Sequence, residues 1–308
     1  MSDVVVSEFM AESALESLTN DFEVVYAPTL AGDREALLAT VADTRALVVR
    51  NRTIVDAALL AAAPKLKVVG RLGVGLDNID LDACDSAGVE VRPATGANAV
   101  AVAEYVLATA LMLVRGTFTS TIQVAEGSWP RAEMVGREVA GRMAGLLGFG
   151  DVARRVAGLL GAVGMNVAAH DPYLDKADSV WGPVQPVGFT DLLANSEVLS
   201  IHVPLTDETR HLIDADAMAA MPAGAVLINT SRGGIVDEIA LIGALRSGHL
   251  GGAAVDVFAN EPLDGDTGER FRNVPNLLLT PHVAGITVES EERVGHTVVR
   301  QVCQVLGA

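Results

Sequence analysis

Lysine, cysteine and aromatic side chains are scarce in this chain of 308 residues, and acidic charge outweighs basic. The two cysteines, Cys84 and Cys303, stand far apart without a Cys-x-x-Cys pair, which argues against a disulfide framework and a thiolate zinc site. No metal is expected. Only three lysines (Lys65, Lys67, Lys176) accompany nineteen arginines, and the formal charge is −17. That charge repels a nucleic-acid backbone and an anionic membrane alike, so neither is expected as a partner. The acidic excess reads as a solubility device rather than a recognition surface. The longest apolar stretch, Ala99 to Val114, is interrupted by Glu104 and is short for a membrane span. Met1-Ser2-Asp3-Val4 carries no basic n-region, so the expected location is the cytoplasm.

Apolar residues make up 50% of the chain, enough for sizeable cores, and Ala, Val, Leu and Gly dominate them. Small side chains of this kind suit helices packed on a parallel sheet. Short β-rich runs alternate with helical patterns, as in a βαβ chain. Strands are expected at Val4–Phe9, Glu23–Tyr26, Ala46–Arg50, Lys67–Leu72 and Val89–Arg92, with helices at Arg34–Val41 and Asp56–Ala62 between them. A long helix, Ala99–Arg115, follows Asn98, and its nearly all-round apolar pattern predicts burial. A second series runs through Met143–Leu147, Asn166–His170, Val198–His202, Ala225–Thr230, Gly252–Phe258 and Asn276–Pro281, before a helix over Thr287–Leu306. The fold class is α/β in two units, divided near Gly96–Asn98.

Gly148-Phe149-Gly150-Asp151-Val152-Ala153 follows an apolar strand and opens a helix. The pattern supplies a tight turn, a close backbone approach to a pyrophosphate and close helix–strand packing. Phosphate oxygens then meet the N–H groups at the helix start. In a chain with thirty glycines the spacing alone is weak. The next strand ends at Asp171, where a carboxylate can accept from the adenosine ribose hydroxyls and repel a 2′-phosphate. The cofactor expected is therefore NAD rather than NADP.

Three later strands each end in a polar motif: Asn229 to Glu238, Asp256 to Pro262, and Pro281-His282-Val283-Ala284-Gly285. Open α/β sheets bind ligands beyond the carboxyl ends of strands. Taken with Gly70–Asp80, Asn98–Glu104, Gly148–Ala153 and His202–Thr206, these motifs closely resemble the D-isomer-specific 2-hydroxyacid dehydrogenases over nearly the whole chain. The resemblance implies two doubly wound parallel-sheet domains. A Rossmann NAD-binding domain would span 98–280, and a smaller flavodoxin-like substrate domain 1–97 plus 281–308.

The resemblance also implies a catalytic set of Arg232, Glu261 and His282, which the chemistry of a 2-hydroxy acid requires. A carboxylate beside a C2 oxygen calls for a planar, permanently charged donor. The hydroxyl proton needs an imidazole as general base. A carboxylate behind that imidazole fixes its tautomer and favours its charged form. Asp151 and Val152 would meet the pyrophosphate with Gly148 and Gly150, and Thr230, Ser231 and Arg232 would line the nicotinamide end. Asp256 would orient the nicotinamide carboxamide. His202, Val203, Pro204, His282 and Gly285 complete the implied cofactor set; neither His202 nor His170 is read as catalytic.

Gly73-Val74-Gly75 resembles the family loop that holds the substrate carboxylate, so Val74 and Gly75 join the expected substrate contacts. Arg50 and Arg71 match positions that bind a distal phosphate in the phosphoglycerate branch, and Arg52 lies beside them. A substrate with a second anionic group is expected. The match is imperfect, because that branch usually has Arg-Ser-Ala where this chain has Arg50-Asn51-Arg52, and Thr at Val74. Val283 to Ser290 looks more like a bacterial branch that includes (S)-sulfolactate dehydrogenase. No serine inhibition is expected of a chain that stops at Ala308. Alternatives left open are a broad-specificity hydroxypyruvate or glyoxylate reductase, a formate or phosphite oxidiser, and a non-enzymatic NAD-sensing corepressor. Resemblance further suggests a homodimer, with Ala99–Arg115 and Trp129-Pro130-Arg131 near the interface.

Overall fold

The computed structural model describes residues 2–307, and the chain divides into two compact units, Met1–Asn98 with Ile286–Ala308 and Ala99–Gly285. The first holds β1 (Val4–Val6), β2 (Val24–Tyr26), β3 (Ala46–Val49), β4 (Val68–Arg71) and β5 (Glu90–Pro93) in a parallel sheet of order β2-β1-β3-β4-β5. That is the flavodoxin-like order. The second holds β6 (Met143–Leu147), β7 (Asn166–His170), β8 (Gln185–Pro186), β9 (Val198–Ile201), β10 (Ala225–Asn229), β11 (Leu250–Val255) and β12 (Leu277–Leu279). Its parallel order, β12-β11-β10-β9-β6-β7-β8, reverses beside β6, the Rossmann switch point where ligands bind.

The central strands are buried on both faces, which is why they read as unbroken apolar runs. Helices cover both faces: Leu147, Leu199, Leu227 and Leu241 belong to one core layer of the second unit, and Val106, Leu146, Val156 and Val226 to the other. Several helices open on an aspartate whose carboxylate accepts an N–H from the first turn, among them Asp33, Asp56, Asp214 and Asp237. Such a cap satisfies a donor that the helix itself leaves unpaired.

Some sequence expectations shift. β1 stops at Val6 rather than Phe9, because Glu8 turns its buried carboxylate to the N–H groups of Arg50, Asn51, Arg52 and Thr53. β11 begins at Leu250, two residues before the expected Gly252. The two-residue edge strand β8 carries no sequence signal. Helix Ala99–Arg115 is not buried all round: Val100, Leu111 and Met112 stay exposed, on the side turned away from the sheet that buries Val106, Ala110 and Val114. The boundary drawn at 280/281 falls at 285/286 in the structure, because backbone and side chain of Asp256 hold residues 282–284 to the second unit. Among the described residues no single helix is long and apolar enough to cross a membrane.

Candidate active site

The second unit gathers its chemistry at the carboxyl ends of β6, β7, β9, β10, β11 and β12. Gly148, just past β6, has a φ of +87°, and a Cβ there would come within 2.6 Å of the His202 carbonyl oxygen. Only glycine fits such a turn. Gly150 precedes the helix Asp151–Ala162, and a Cβ on it would meet nothing within 4 Å, which leaves the helix start open to a ligand. Asp171, past β7, accepts the Phe149 N–H at 3.0 Å and the Tyr173 N–H at 3.0 Å. An ionised carboxylate has about four acceptor positions, so capacity for ribose hydroxyls remains.

His202, past β9, is bonded through Nε2 to the Ser200 hydroxyl at 2.9 Å, and burial pushes its imidazole down to about 4. It is neutral near pH 7 and suited to lining, not to proton transfer. Val203 presents its carbonyl to the Ser231 hydroxyl, and Pro204 is exposed beyond it. Past β10, buried Asn229 staples the turn: its Oδ1 accepts the Ser231 N–H at 3.1 Å and its Nδ2 donates to the Arg232 carbonyl at 3.0 Å. The Thr230 hydroxyl is buried in this turn without a hydrogen-bond partner. A buried orphan of this kind is costly unless a ligand satisfies it. Glycine turn, open helix start, the Asp171 carboxylate with acceptor capacity to spare and the orphaned hydroxyl together fit a dinucleotide.

Arg232, Glu261 and His282 are brought together. His282 Nδ1 donates to Glu261 Oε2 at 2.7 Å, while Glu261 Oε1 accepts the Phe258 N–H at 2.8 Å. Burial pushes the Glu261 carboxyl up, but the bonds from His282 and Phe258, with the charges of His282 and Arg232, outweigh it and hold the group below the ordinary glutamate value. With Nδ1 engaged, Nε2 of the half-exposed His282 ring is the nitrogen left for substrate.

Two buried carboxylates, neither assigned this role from sequence, hold these side chains in place. Asp256, 1% exposed, accepts from the Thr280 hydroxyl at 2.5 Å and from the Val283 and Ala284 N–H groups at 2.9 Å each, and its carbonyl accepts the His282 N–H. These bonds support His282 at a φ of +55°, where a side chain other than glycine is strained. Tyr105 OH meets the Thr280 hydroxyl at 2.6 Å, extending the chain of bonds. Glu238 accepts the Ala259 N–H at 2.8 Å and pairs with Arg270, anchoring the loop that carries Glu261. A charged residue inside an apolar helix start was the one available signal for Glu238.

In the first unit, Arg50 follows β3 and Arg71 ends β4, and the two strands are neighbours. Arg50 gives both Nη atoms to Glu291, each at 2.6 Å. Arg71 Nη1 donates to the Leu72 carbonyl at 3.1 Å, and the Arg52 side chain is exposed. Gly73, at a φ of +139°, turns the chain into exposed Val74 and half-buried Gly75. Among the described residues no group of three His, Cys, Asp or Glu is placed to hold a metal.

The model of the D-isomer specific 2-hydroxyacid dehydrogenase NAD-binding domain matches residues 107–284, and a curated relative is alike from end to end. The chain belongs to the D-isomer-specific 2-hydroxyacid dehydrogenases. That relative, the (S)-sulfolactate dehydrogenase of Chromohalobacter salexigens, is 50% identical over 100% of this chain and 99% of its own. The D-3-phosphoglycerate dehydrogenase of Mycobacterium leprae is 39% identical over 97% of this chain, which spans only 56% of that longer protein. A solved protein of Thermus thermophilus superposes with a TM-score of 0.88 at 31% identity, covering 99% of this chain and 96% of its own. This dehydrogenase is an NAD-dependent oxidoreductase that acts on the CH–OH group of a small 2-hydroxy acid.

Proposed function

We propose that this dehydrogenase acts on a 2-hydroxy acid with a second anionic group, of the 3-sulfolactate or 3-phosphoglycerate type, the sulfonated acid first. The observation that carries the chemistry is the 2.7 Å bond from His282 Nδ1 to Glu261 Oε2, with Arg232 close enough to lower the carboxyl's pKa. Support for the substrate comes from the end-to-end likeness to a sulfolactate enzyme and from Arg50, Arg52 and Arg71 at the carboxyl ends of β3 and β4.

Arg232 binds the substrate carboxylate and C2 oxygen through its planar fork. Nε2 of His282 takes the hydroxyl proton as C2 becomes a carbonyl carbon, and returns it in the reverse direction. Glu261 keeps the proton on Nδ1, so that Nε2 arrives as a base, and stabilises the imidazolium that forms. Bound NAD would supply the hydride acceptor for C2. Gly148, Gly150, Asp151 and Val152 would hold its pyrophosphate and Asp171 its ribose. His202, Val203, Pro204, Thr230, Ser231, Asp256 and Gly285 would line the nicotinamide end. In the first unit Val74 and Gly75 offer backbone N–H groups to the carboxylate, and Arg50, Arg52 and Arg71 receive the second anion.

The reading includes a cytoplasmic homodimer: both cysteines are free, and apolar Phe118, Ile122 and Trp129 are exposed at 60%, 70% and 79%, as on an uncovered subunit face. A second reading, a broad hydroxypyruvate or glyoxylate reductase, is favoured by Arg50 being already engaged by Glu291.

The test is NADH formation by the purified enzyme with (S)-3-sulfolactate, D-3-phosphoglycerate, D-glycerate and D-lactate in parallel. A sulfonated or phosphorylated acid should lead in kcat/KM by about a hundredfold, worth about 2.7 kcal/mol. Equal turnover of D-glycerate would overturn the second-anion reading and leave a broad 2-hydroxyacid dehydrogenase.

A further inference from the structure

Arg50 and Glu291 form a two-point ion pair, both bonds 2.6 Å long, with side chains only 21% and 17% exposed. Neither partner is free to wander. The Arg50 end is fixed by Glu8, whose carboxylate, 5% exposed, collects the N–H groups of residues 50–53. The Glu291 end stands on the first turn of helix Val288–Leu306, opened by the reciprocal capping bonds of Thr287 and Ser290. A helix start favours a carboxylate there. Arg50 therefore stands at the strand ends with its charge already answered, one register step from Arg71.

We infer that Glu291 is a specificity-determining residue, which neutralises Arg50 so that the distal anion site accepts a monoanionic sulfonate in preference to a dianionic phosphate. The inference rests on the proposed second-anion substrate. A sulfonate carries one negative charge, whereas a phosphate monoester carries close to two near pH 7. An oxyanion arriving at Arg50 shares the guanidinium with Glu291 and feels that carboxylate's repulsion in proportion to its own charge. Partial burial keeps the repulsion from being screened away. Removing the Glu291 charge while keeping the side chain's shape adds one unit of positive charge to the site. A dianion gains about twice what a monoanion gains from that change.

The test compares wild type, Glu291→Gln and Glu291→Asp by kcat/KM for (S)-3-sulfolactate and D-3-phosphoglycerate at saturating NAD and low ionic strength. The phosphoglycerate-to-sulfolactate ratio is read because a loss of folded enzyme lowers both rates equally and cancels. Wild type should favour sulfolactate. Glu291→Gln should raise the ratio tenfold or more, about 1.4 kcal/mol, and Glu291→Asp should return it to within threefold of wild type. An unchanged ratio in Glu291→Gln, or a wild-type preference for phosphoglycerate, would overturn the inference and leave the dehydrogenase reading intact. A wild type that oxidises D-glycerate as well as both would instead sink the second-anion reading beneath it.

Discussion

Glu261 divides its two oxygens between a backbone N–H and an imidazole, and that division sets what its replacement does. In Glu261→Gln the amide can still accept one bond, but the negative charge opposite His282 is gone. We expect kcat to fall on the order of 100-fold with a smaller change in KM, the lower end of what general acid–base groups contribute; steady-state rates in both directions will show it. Because its folded pKa is depressed, Glu261 stays charged at neutral pH and gives up its charge only as pH falls below the ordinary glutamate range. Because oxidation needs a proton acceptor and reduction a proton donor at the same place, oxidation should weaken as pH falls and reduction as pH rises; profiles moving the same way would refute His282 as the proton carrier. His202 behaves differently. Its folded pKa of about 4 lies below the ordinary histidine value, so its contribution is present above that ordinary value and is lost as pH falls from there toward 4. Replacing it with Gln should flatten the acid side of the unfolding profile, by roughly 3 kcal/mol at most.

At the scale of elements, the turn after β12 shows how a strained segment is held. Tyr105 on helix Ala99–Arg115, Thr280 and Asp256 form a line of hydrogen bonds that ends on the N–H groups of residues 283 and 284. Burial pushes the Tyr105 phenol pKa up, with Asp256 adding to the shift, so the hydroxyl keeps its proton and can donate. Thr280→Val preserves shape but leaves both neighbours short of a partner. It should cost about 1–3 kcal/mol of stability and lower kcat more than KM; a melting temperature equal to wild type would show the line to be incidental. The strand–turn motifs were legible because glycine, proline and apolar runs mark them locally. The pinning carboxylates Asp256 and Glu238 were not legible in this role, since their partners lie 27, 28 and 21 residues away.

For the whole molecule, the alternating strand and helix patterns carry the two parallel sheets, while the strand orders were implied only by the family resemblance and are read from the structure. The exposed stripe of helix Ala99–Arg115 departs from what its composition suggests, and the proposed homodimer would account for it. Light scattering should give the mass of two chains, and Trp129→Glu or Ile122→Asp should shift the population toward one. A wild-type monomer at micromolar concentration would refute the dimer.

What the sequence by itself determined were the features carried by neighbours along the chain: strand runs, glycine turns, and the Arg, Glu and His motifs at strand ends. Each depends on local backbone geometry or on side-chain period, which a string of letters records. Only the tertiary structure decided which charges meet. It paired Arg50 with Glu291 across 241 positions and Glu238 with the loop that carries Glu261. Such pairings depend on where strands stop and helices begin in space, and a one-residue slip redirects every side chain after it. The residue types were written in the chain; their partners were set by the packing of helices and loops on the sheet within each unit.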